Sequence, residues 1–250
     1  MKRFTILAEK QWFIIPQEIE AKFGQLIGKK QSGKIRNIGF FVTESNEIKL
    51  IGKFLSRNIC AFYNSDYNSG GSWKKLGTIE NMIWTLKNDV YAFPDRLPKA
   101  QQQLAGIIRK DLPIILREIG KRNLTVCVVP RAKAESYYRA DQLLFRETIS
   151  NVLKQLPNFE NGTKYLIRQT NTRTTHLDKN GEGGDGNLPY PGITKKTCNI
   201  SRQVEGKDIL LIDDLYTKSV NIDEDAIQAL LDKGANSVTF YSIGKTASKY

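Results

Sequence analysis

The stretch that decides the fold is residues 209–221, which read ILLIDDLYTKSVN. Its first four aliphatic residues are typical of a strand that is buried on both faces of a parallel sheet. Asp213 and Asp214 follow at the carboxyl end of this strand, and a short polar loop leads to an amphipathic helix predicted from about Ile222 to Lys233. Because ligands of open α/β sheets bind beyond the carboxyl ends of the strands, the sequence predicts a binding site here.

The chemistry of this stretch suits a phosphorylated sugar. The amino terminus of the predicted helix offers free backbone N–H groups and a positive dipole, which favour a phosphate. The two carboxylates can accept hydrogen bonds from sugar hydroxyls or lie near a hydrated Mg²⁺. A Walker-type reading of the acids needs a partner loop, and residues 244–246 (GKT) stand too close to the end of the sequence for the helix such a loop requires.

Residues 209–221 resemble the signature of the type I phosphoribosyltransferases, and most closely that of their ComF-like branch, which is related to the amidophosphoribosyltransferases. In that signature four hydrophobic residues, two acids and two hydrophobic residues precede a Thr-Thr-Gly-x-Thr loop. Residues 213–217 fit the branch, whereas Lys218, Ser219 and Asn221 stand where it has Thr, Gly and Thr. The resemblance implies that Asp213 and Asp214 act on the ribose and, through water or ribose, on Mg²⁺. It also implies a loop that binds phosphate, formed by Tyr216, Thr217, Lys218, Ser219, Val220 and Asn221.

The same resemblance extends over two further segments, and together they cover about Lys99 to Tyr250. Residues 128–133 (VVPRAK) resemble the family's pyrophosphate loop, which implies that Arg131, Ala132 and Lys133 bind phosphate. Residues 166–177 (LIRQTNTRTTHL) resemble the start of the mobile hood that closes on the active site, which makes Arg173 a catalytic candidate. His176 is the one histidine of the chain, either an exposed loop residue or an acid–base group.

The order of predicted elements indicates an α/β fold. Strands and helices alternate in the second half of the chain, which predicts a doubly wound parallel sheet of the type I phosphoribosyltransferase kind, with a flexible hood. We expect this domain to span 96–250 and a small N-terminal α+β region of unknown role to span 1–95. Pro113 is expected to kink or break a helix. The predicted strands are 38–43, 48–54, 59–63, 125–129, 164–167, 208–212 and 237–243, and the predicted helices are 17–26, 79–86, 99–121, 134–156 and 222–233.

Composition limits the class of protein and its partners. The chain has 250 residues, of which 40% are hydrophobic, and no apolar run of the roughly 18 residues that a membrane span needs. Its three cysteines are widely spaced, which fits neither a disulfide framework nor a zinc site and predicts a cytoplasmic protein. The net charge of +12 is dispersed, and indicates either a solvated lysine-rich surface or attraction to nucleic acid.

Two functions follow from these observations. In the first, the protein is an enzyme that binds phosphoribosyl pyrophosphate and Mg²⁺ and transfers the phosphoribosyl group or hydrolyses the donor. Arg131, Lys133 and Arg173 would then stabilise the departing pyrophosphate. In the second, the altered loop holds a phosphoribosyl compound or nucleotide as a signal, and the basic surface contacts nucleic acid. The resemblance to the ComF-like branch implies that such a protein acts in DNA uptake or antiviral defence. The acceptor and the oligomeric state, including a homo-oligomer, stay open.

Overall fold

The computed structural model describes most of the chain. For the short ranges 11–14, 32–35, 38–42 and 48–52 it gives the backbone alone. The described residues are 1–9, 11–14, 32–35, 38–42, 48–52, 55–90, 95–172, 193, 197–218 and 221–247.

A mostly parallel sheet of six strands forms the centre of the molecule, in the order β1-β6-β12-β11-β7-β8. The pairs β6–β12, β12–β11, β11–β7 and β7–β8 are all parallel. The predicted α/β class is therefore confirmed. The strands are β1 Lys2–Ile6, β6 Ile59–Tyr67, β7 Leu124–Val128, β8 Phe159–Asn161, β11 Asp208–Tyr216 and β12 Ser237–Thr246.

Four helices of the described chain cover this sheet, and the burial of β11 shows that both of its faces are covered. Leu210 and Ile212 belong to a core cluster with residues of the first three helices, such as Leu104 and Ile108. Ile209 and Leu211 alternate with them along the strand and are equally inaccessible, so the opposite face is covered too. The helices are α1 Ile79–Lys87, α2 Arg96–Glu118, α3 Leu144–Leu153 and α4 Ile222–Asp232.

Two helix predictions differ from the structure. Helix α2 does not break at Pro113, because Leu112 and Ile115 on either side of it are fully buried and packing holds the helix together. The alternative, a kink at Pro113, stays a prediction. The helix predicted over 134–156 forms only from Leu144 to Leu153. Two short 3-10 turns, Glu135–Tyr137 and Ala140–Gln142, precede it, because side chains there bond to distant backbone groups instead of continuing a helix.

The strand predicted over 164–167 lies elsewhere. Its observed counterpart, β9 (Leu166–Arg168), pairs antiparallel with β10 (Cys198–Ile200) in a separate two-stranded sheet. The edge of the parallel sheet is instead β8, which the sequence did not reveal. A strand of three residues is too short to show a hydrophobic period.

The chain divides into two compact units, and the division lies near residue 60 instead of residue 95. The larger unit contains Met1–Thr5 and Cys60–Tyr250. Residues 60–95 belong to it because β6 pairs with β12 and α1 packs against α2. The smaller unit, Ile6–Ile59, carries an antiparallel sheet in which the predicted strands at 38–43 and 48–54 are confirmed, and the helix predicted at 17–26 lies outside the described residues. This sheet has the order β2-β5-β4-β3, with β2 Gln11–Ile14, β3 Ser32–Ile35, β4 Ile38–Val42 and β5 Ile48–Gly52.

None of the described helices is long and apolar enough to cross a membrane.

Candidate functional site

The carboxyl end of β11 carries the two predicted acids. This strand lies between β12 and β7, so its end is in the interior of the sheet and not at an edge. The loop after β7 starts beside it, because the Val129 N–H donates to the carbonyl of Ile212 over 2.9 Å. Asp213 and Asp214 therefore stand next to the segment predicted to bind pyrophosphate.

Asp214 forms an ion pair that sequence reasoning missed. Lys87, the last residue of α1, places its Nζ 3.2 Å from Oδ1 of Asp214, and both side chains are mostly buried. Burial opposes the charge of Lys87, but the carboxylates of Asp214 and Asp213 outweigh it and raise the Lys87 pKa. The lysine is therefore a fixed cation at the candidate site. It lies far from Asp214 in sequence, and no spacing rule connects the two.

Asp213 lies against the first turn of α4. Burial, with the nearby charge of Asp214, raises the pKa of Asp213 to about 7. Asp223 of this turn is 4% exposed. Burial, together with the charge of Asp213, raises the pKa of Asp223 well above its usual value. Two neighbouring buried carboxyl groups cannot easily both be charged. Adjacent acids of the strand thus have different neighbours, Lys87 for Asp214 and Asp223 for Asp213.

The loop between β11 and α4 is described in part. The hydroxyls of Thr217 and Thr246 share a hydrogen bond of 2.8 Å, and Lys218 is exposed. Asn221 precedes the helix in the left-handed conformation (φ 58°), which asparagine tolerates better than most residues. Its buried Oδ1 has no hydrogen-bond partner within the described chain. Ser219 and Val220, both predicted phosphate contacts, lie outside the described residues.

Tyr216 lies in the packing below the loop. Its ring contacts those of Phe4 and Phe240, with centroids 5.3 and 5.6 Å away. Its hydroxyl donates to Glu224 over 2.8 Å, and the residue is 4% exposed. Contact with a phosphate, as predicted, would require Tyr216 to leave this packing.

The predicted pyrophosphate loop is held by its neighbours. The carbonyl of Ala132 accepts hydrogen bonds from the backbone N–H and the hydroxyl of Thr172, at 2.8 and 2.9 Å. The carbonyl of Arg131 accepts from Nε of Arg168 at 3.1 Å, and the Lys133 N–H donates to the hydroxyl of Tyr138 at 3.0 Å. These bonds give the loop one conformation before any ligand is considered.

The guanidinium of Arg131 bonds within the protein. It donates to the carbonyls of Lys87 and Gln142 at 2.6 and 3.0 Å and pairs with Asp89. It also lies 4.4 Å from the centre of the Tyr138 ring. Arg131 thus joins the predicted loop to the end of α1, and binding pyrophosphate would require it to exchange these partners.

The end of α1 is fixed by more than Arg131. Asn88 ends the helix in the left-handed conformation (φ 47°), and its carbonyl accepts from both Arg139 and Gln142 at 3.1 Å. This clamp holds Lys87 beside Asp214.

A small basic pocket adjoins the loop, between the end of β7 and α3. Arg146 is paired there with Glu135, and burial lowers the pKa of Arg168. The lining suits an anion. It includes Pro130, Arg131, Lys133, Tyr138, Arg146 and Arg168.

The remaining predictions concern residues or groups that the structure does not test. Arg173 and His176 lie outside the described residues. The described part of the chain holds no cluster of three or more His, Cys, Asp or Glu side chains that could bind a metal ion directly. The predicted role of Asp213 and Asp214 toward Mg²⁺ is indirect, and stays a prediction.

Comparison of the chain with models of protein families gave no match, and comparison with curated proteins gave none either.

Proposed function

We propose that this protein binds phosphoribosyl pyrophosphate with Mg²⁺ at the carboxyl end of β11, and that it transfers the phosphoribosyl group or hydrolyses the donor. One observation carries the proposal: Asp213 and Asp214 lie near the carboxyl end of an interior strand of a parallel sheet, beside two segments suited to phosphate. These segments are the loop after β7 and the turn into α4. The same arrangement supports a fold of the type I phosphoribosyltransferase kind.

The chemistry assigns different tasks to the two acids. Departure of pyrophosphate builds positive charge on the ribose ring, which a nearby carboxylate stabilises. Asp214 suits this task, because Nζ of Lys87 lies 3.2 Å from its Oδ1. Asp213, whose pKa burial and the charge of Asp214 raise to about 7, suits hydrogen bonding to a ribose hydroxyl. Mg²⁺ would neutralise charge on the pyrophosphate, and the partly exposed carboxylate of Asp214 is an oxygen ligand of the type that Mg²⁺ accepts through water.

The cations around the acids would hold the leaving group. Lys133 belongs to the loop after β7, and Lys87 pairs with Asp214. An ammonium has three N–H donors, so Lys87 can stay beside Asp214 and also donate to a phosphate oxygen. We therefore assign Lys87 and Lys133 to the pyrophosphate, and Arg131 to positioning Lys87 through its bond to the Lys87 carbonyl.

A second candidate is binding without turnover, as in a sensor of phosphoribosyl compounds or nucleotides. The engagement of Arg131 by Lys87, Gln142 and Asp89 favours it, because the loop then offers one cation fewer to a departing pyrophosphate. Ser219 also favours binding without turnover, because it stands where the family's loop has a glycine.

Release of pyrophosphate from labelled donor and Mg²⁺ distinguishes the two. We expect release by the wild-type protein and a loss of at least about 100-fold in Asp214→Asn, in the range seen when a group that stabilises developing charge is removed. The matched control is Asp232→Asn, at the exposed end of α4, which should behave as the wild type. Tight binding without release would favour the sensor, and neither binding nor release would refute both candidates.

A further inference from the structure

Two tryptophans stack on each other at the surface of the larger unit. Trp73 and Trp84 have ring centroids 4.8 Å apart and planes inclined by 32°. Trp73 is 37% exposed, although a side chain of this size is usually well covered. Leu76 beside it is 64% exposed. We call the group formed by Trp73, Lys74, Lys75, Leu76 and Trp84 the tryptophan platform.

Hydrogen bonds hold the platform in place. Asn81 donates from Nδ2 to the carbonyl of Trp73 over 2.6 Å. Thr78, the N-cap of α1, accepts from the N–H of Asn81 at 3.1 Å and donates to the carbonyls of Ser72 and Lys75 at 3.1 and 2.9 Å. The turn that carries Trp73 is thereby fixed to the first turn of α1. An aromatic surface presented by a fixed turn loses little conformational entropy when it binds a partner.

The charge around the platform is positive. Lys74 and Lys75 are exposed, and no acidic group of the described chain forms an ion pair with either. Lys74 places its ammonium 5.4 Å from the centre of the Trp73 ring. The nearby Glu80 is 6% exposed and accepts from the backbone of Asn68, so its charge points into the protein. A partner for this surface must therefore offer flat apolar faces together with negative charge.

Single-stranded nucleic acid has this chemistry. Its unpaired bases stack on exposed aromatic rings, and lysines beside the rings neutralise the phosphates. We propose that the tryptophan platform binds single-stranded nucleic acid, with a base on Trp73 and the backbone along Lys74 and Lys75. Lys74 would leave the ring for a phosphate as the base arrives. A net charge of +12 adds long-range attraction for the same partner.

The platform is connected to the candidate site by a single helix. Helix α1 begins beside Trp73 and ends at Lys87, which pairs with Asp214. Its 9 residues span about 13 Å at 1.5 Å per residue. A strand held on the platform could therefore place a neighbouring nucleotide near the acids. The binding proposal itself does not depend on the phosphoribosyl proposal, because it is tested without donor.

The test is fluorescence anisotropy with labelled oligothymidine and oligouridine of about 20 nucleotides, longer than the usual binding sites. The two probes distinguish DNA from RNA, and a duplex of the same length tests the preference for single strands. We expect Trp73→Ala to weaken binding by about tenfold or more, and Trp73→Tyr, which keeps a stacking ring, to retain most of the affinity. Tyr137→Ala is the matched control, since Tyr137 is 69% exposed elsewhere on the same unit.

A second pair of variants tests the charges without altering the stack. Lys74→Gln with Lys75→Gln should reduce the slope of log affinity against log salt by about 1.4, or 0.7 for each phosphate contact on a single strand. The charge-matched control is Lys110→Gln with Lys154→Gln, two exposed lysines in α2 and just after α3. Unchanged affinity in Trp73→Ala, or an equal loss in Tyr137→Ala, would overturn the proposal. A failure of the wild-type protein to bind any of the oligonucleotides would also overturn the proposal. In that case the partner of this surface would be a protein.

Discussion

At the carboxyl end of β11, three carboxyl groups and one ammonium occupy a largely buried space. Lys87 compensates the charge of Asp214, whereas burial and their neighbouring charges raise the pKa values of Asp213 and Asp223. Such a group of charges stabilises the fold only while each member keeps its partner, because an unpaired buried charge is costly. The candidate site is thus also a point at which stability depends on single residues.

Replacement of Lys87 by methionine tests this dependence. The change keeps the length of the side chain but leaves Asp214 and Asp213 without their cation. We expect the free energy of unfolding at pH 8 to fall by about 2 kcal/mol, less than for a fully buried pair because the ion pair is partly exposed. Urea denaturation measures it. The control is Lys2→Met, whose pair with Asp66 is exposed, and equal effects of the two changes would contradict the account.

Glu224 makes stability depend on pH. Burial, opposed by the bond from Tyr216, raises the pKa of Glu224 to about 7 from an ordinary 4.5. The folded state therefore holds this proton more tightly than the unfolded state, so stability falls as the pH rises from about 4.5 to about 7.

Glu224→Gln removes this penalty and keeps an oxygen to accept from Tyr216. We expect no change in the free energy of unfolding at pH 4 and a gain of up to about 3 kcal/mol at pH 8. The exposed Glu205→Gln serves as the control. A gain of the same size at both pH values would show that the carboxyl of Glu224 is not the cause.

Among the elements, the turn after β8 depends on close packing. A Cβ on Gly162 would lie 2.7 Å from Cγ2 of Thr125 and 2.8 Å from Cδ2 of Tyr165, both closer than carbon atoms approach. We expect Gly162→Ala to lower the free energy of unfolding by about 2 kcal/mol. The matched control is Gly106→Ala in α2, where a Cβ would have no atom within 4 Å. There alanine should raise the free energy of unfolding by about 0.5–1 kcal/mol. Thermal and urea unfolding would measure both, and a neutral Gly162→Ala would contradict this packing.

The elements with a long or strong hydrophobic pattern were predictable. The run before Asp213 indicated β11, and the apolar spacing after Thr78 indicated α1. The edge strand β8 has three residues and no such pattern, and β9 resembles a parallel strand in sequence although it pairs with β10. The predicted helix over 134–156 is short because Arg139 and Gln142 bond to Asn88, a contact between distant segments that local sequence cannot show.

The site was predictable to the same extent. The positions of Asp213 and Asp214 at the carboxyl end of a predicted strand indicated a binding site, whereas the phosphate-binding loop after β7 was predicted from the family resemblance. Lys87 and Asp223 did not. Lys87 reaches Asp214 only through the packing of α1, and Asp223 has the sequence position of an ordinary acid in the first turn of a helix. Periodicity locates a strand end, but not the side chains that other elements bring to it.

At the scale of the whole molecule, the smaller unit is an insertion in the α/β unit. β1 joins the large sheet next to β6, and the chain between them, residues 7–58, makes its own antiparallel sheet. Within the large unit, β1 also packs through Phe4, whose ring contacts the rings of Tyr63 and Tyr216.

Replacement of residues 7–58 by a flexible linker should therefore leave the α/β unit folded. We expect circular dichroism with the signature of an α/β protein and a cooperative unfolding transition. The matched comparison is a deletion of residues 1–58, which also removes β1 and should unfold at lower temperature. Loss of cooperative unfolding in the linker variant would show that the α/β unit needs the insertion.

The central claim is that the end of β11 binds phosphoribosyl pyrophosphate, and titration calorimetry of the donor with Mg²⁺ tests it most directly. The account predicts a measurable heat of binding for the wild-type protein and its loss in Asp213→Asn/Asp214→Asn, with circular dichroism showing that the variant is folded. A fall in affinity of about 100-fold corresponds to about 2.7 kcal/mol. Absence of binding by the wild type, or unchanged affinity in the folded variant, would contradict the assignment of this site.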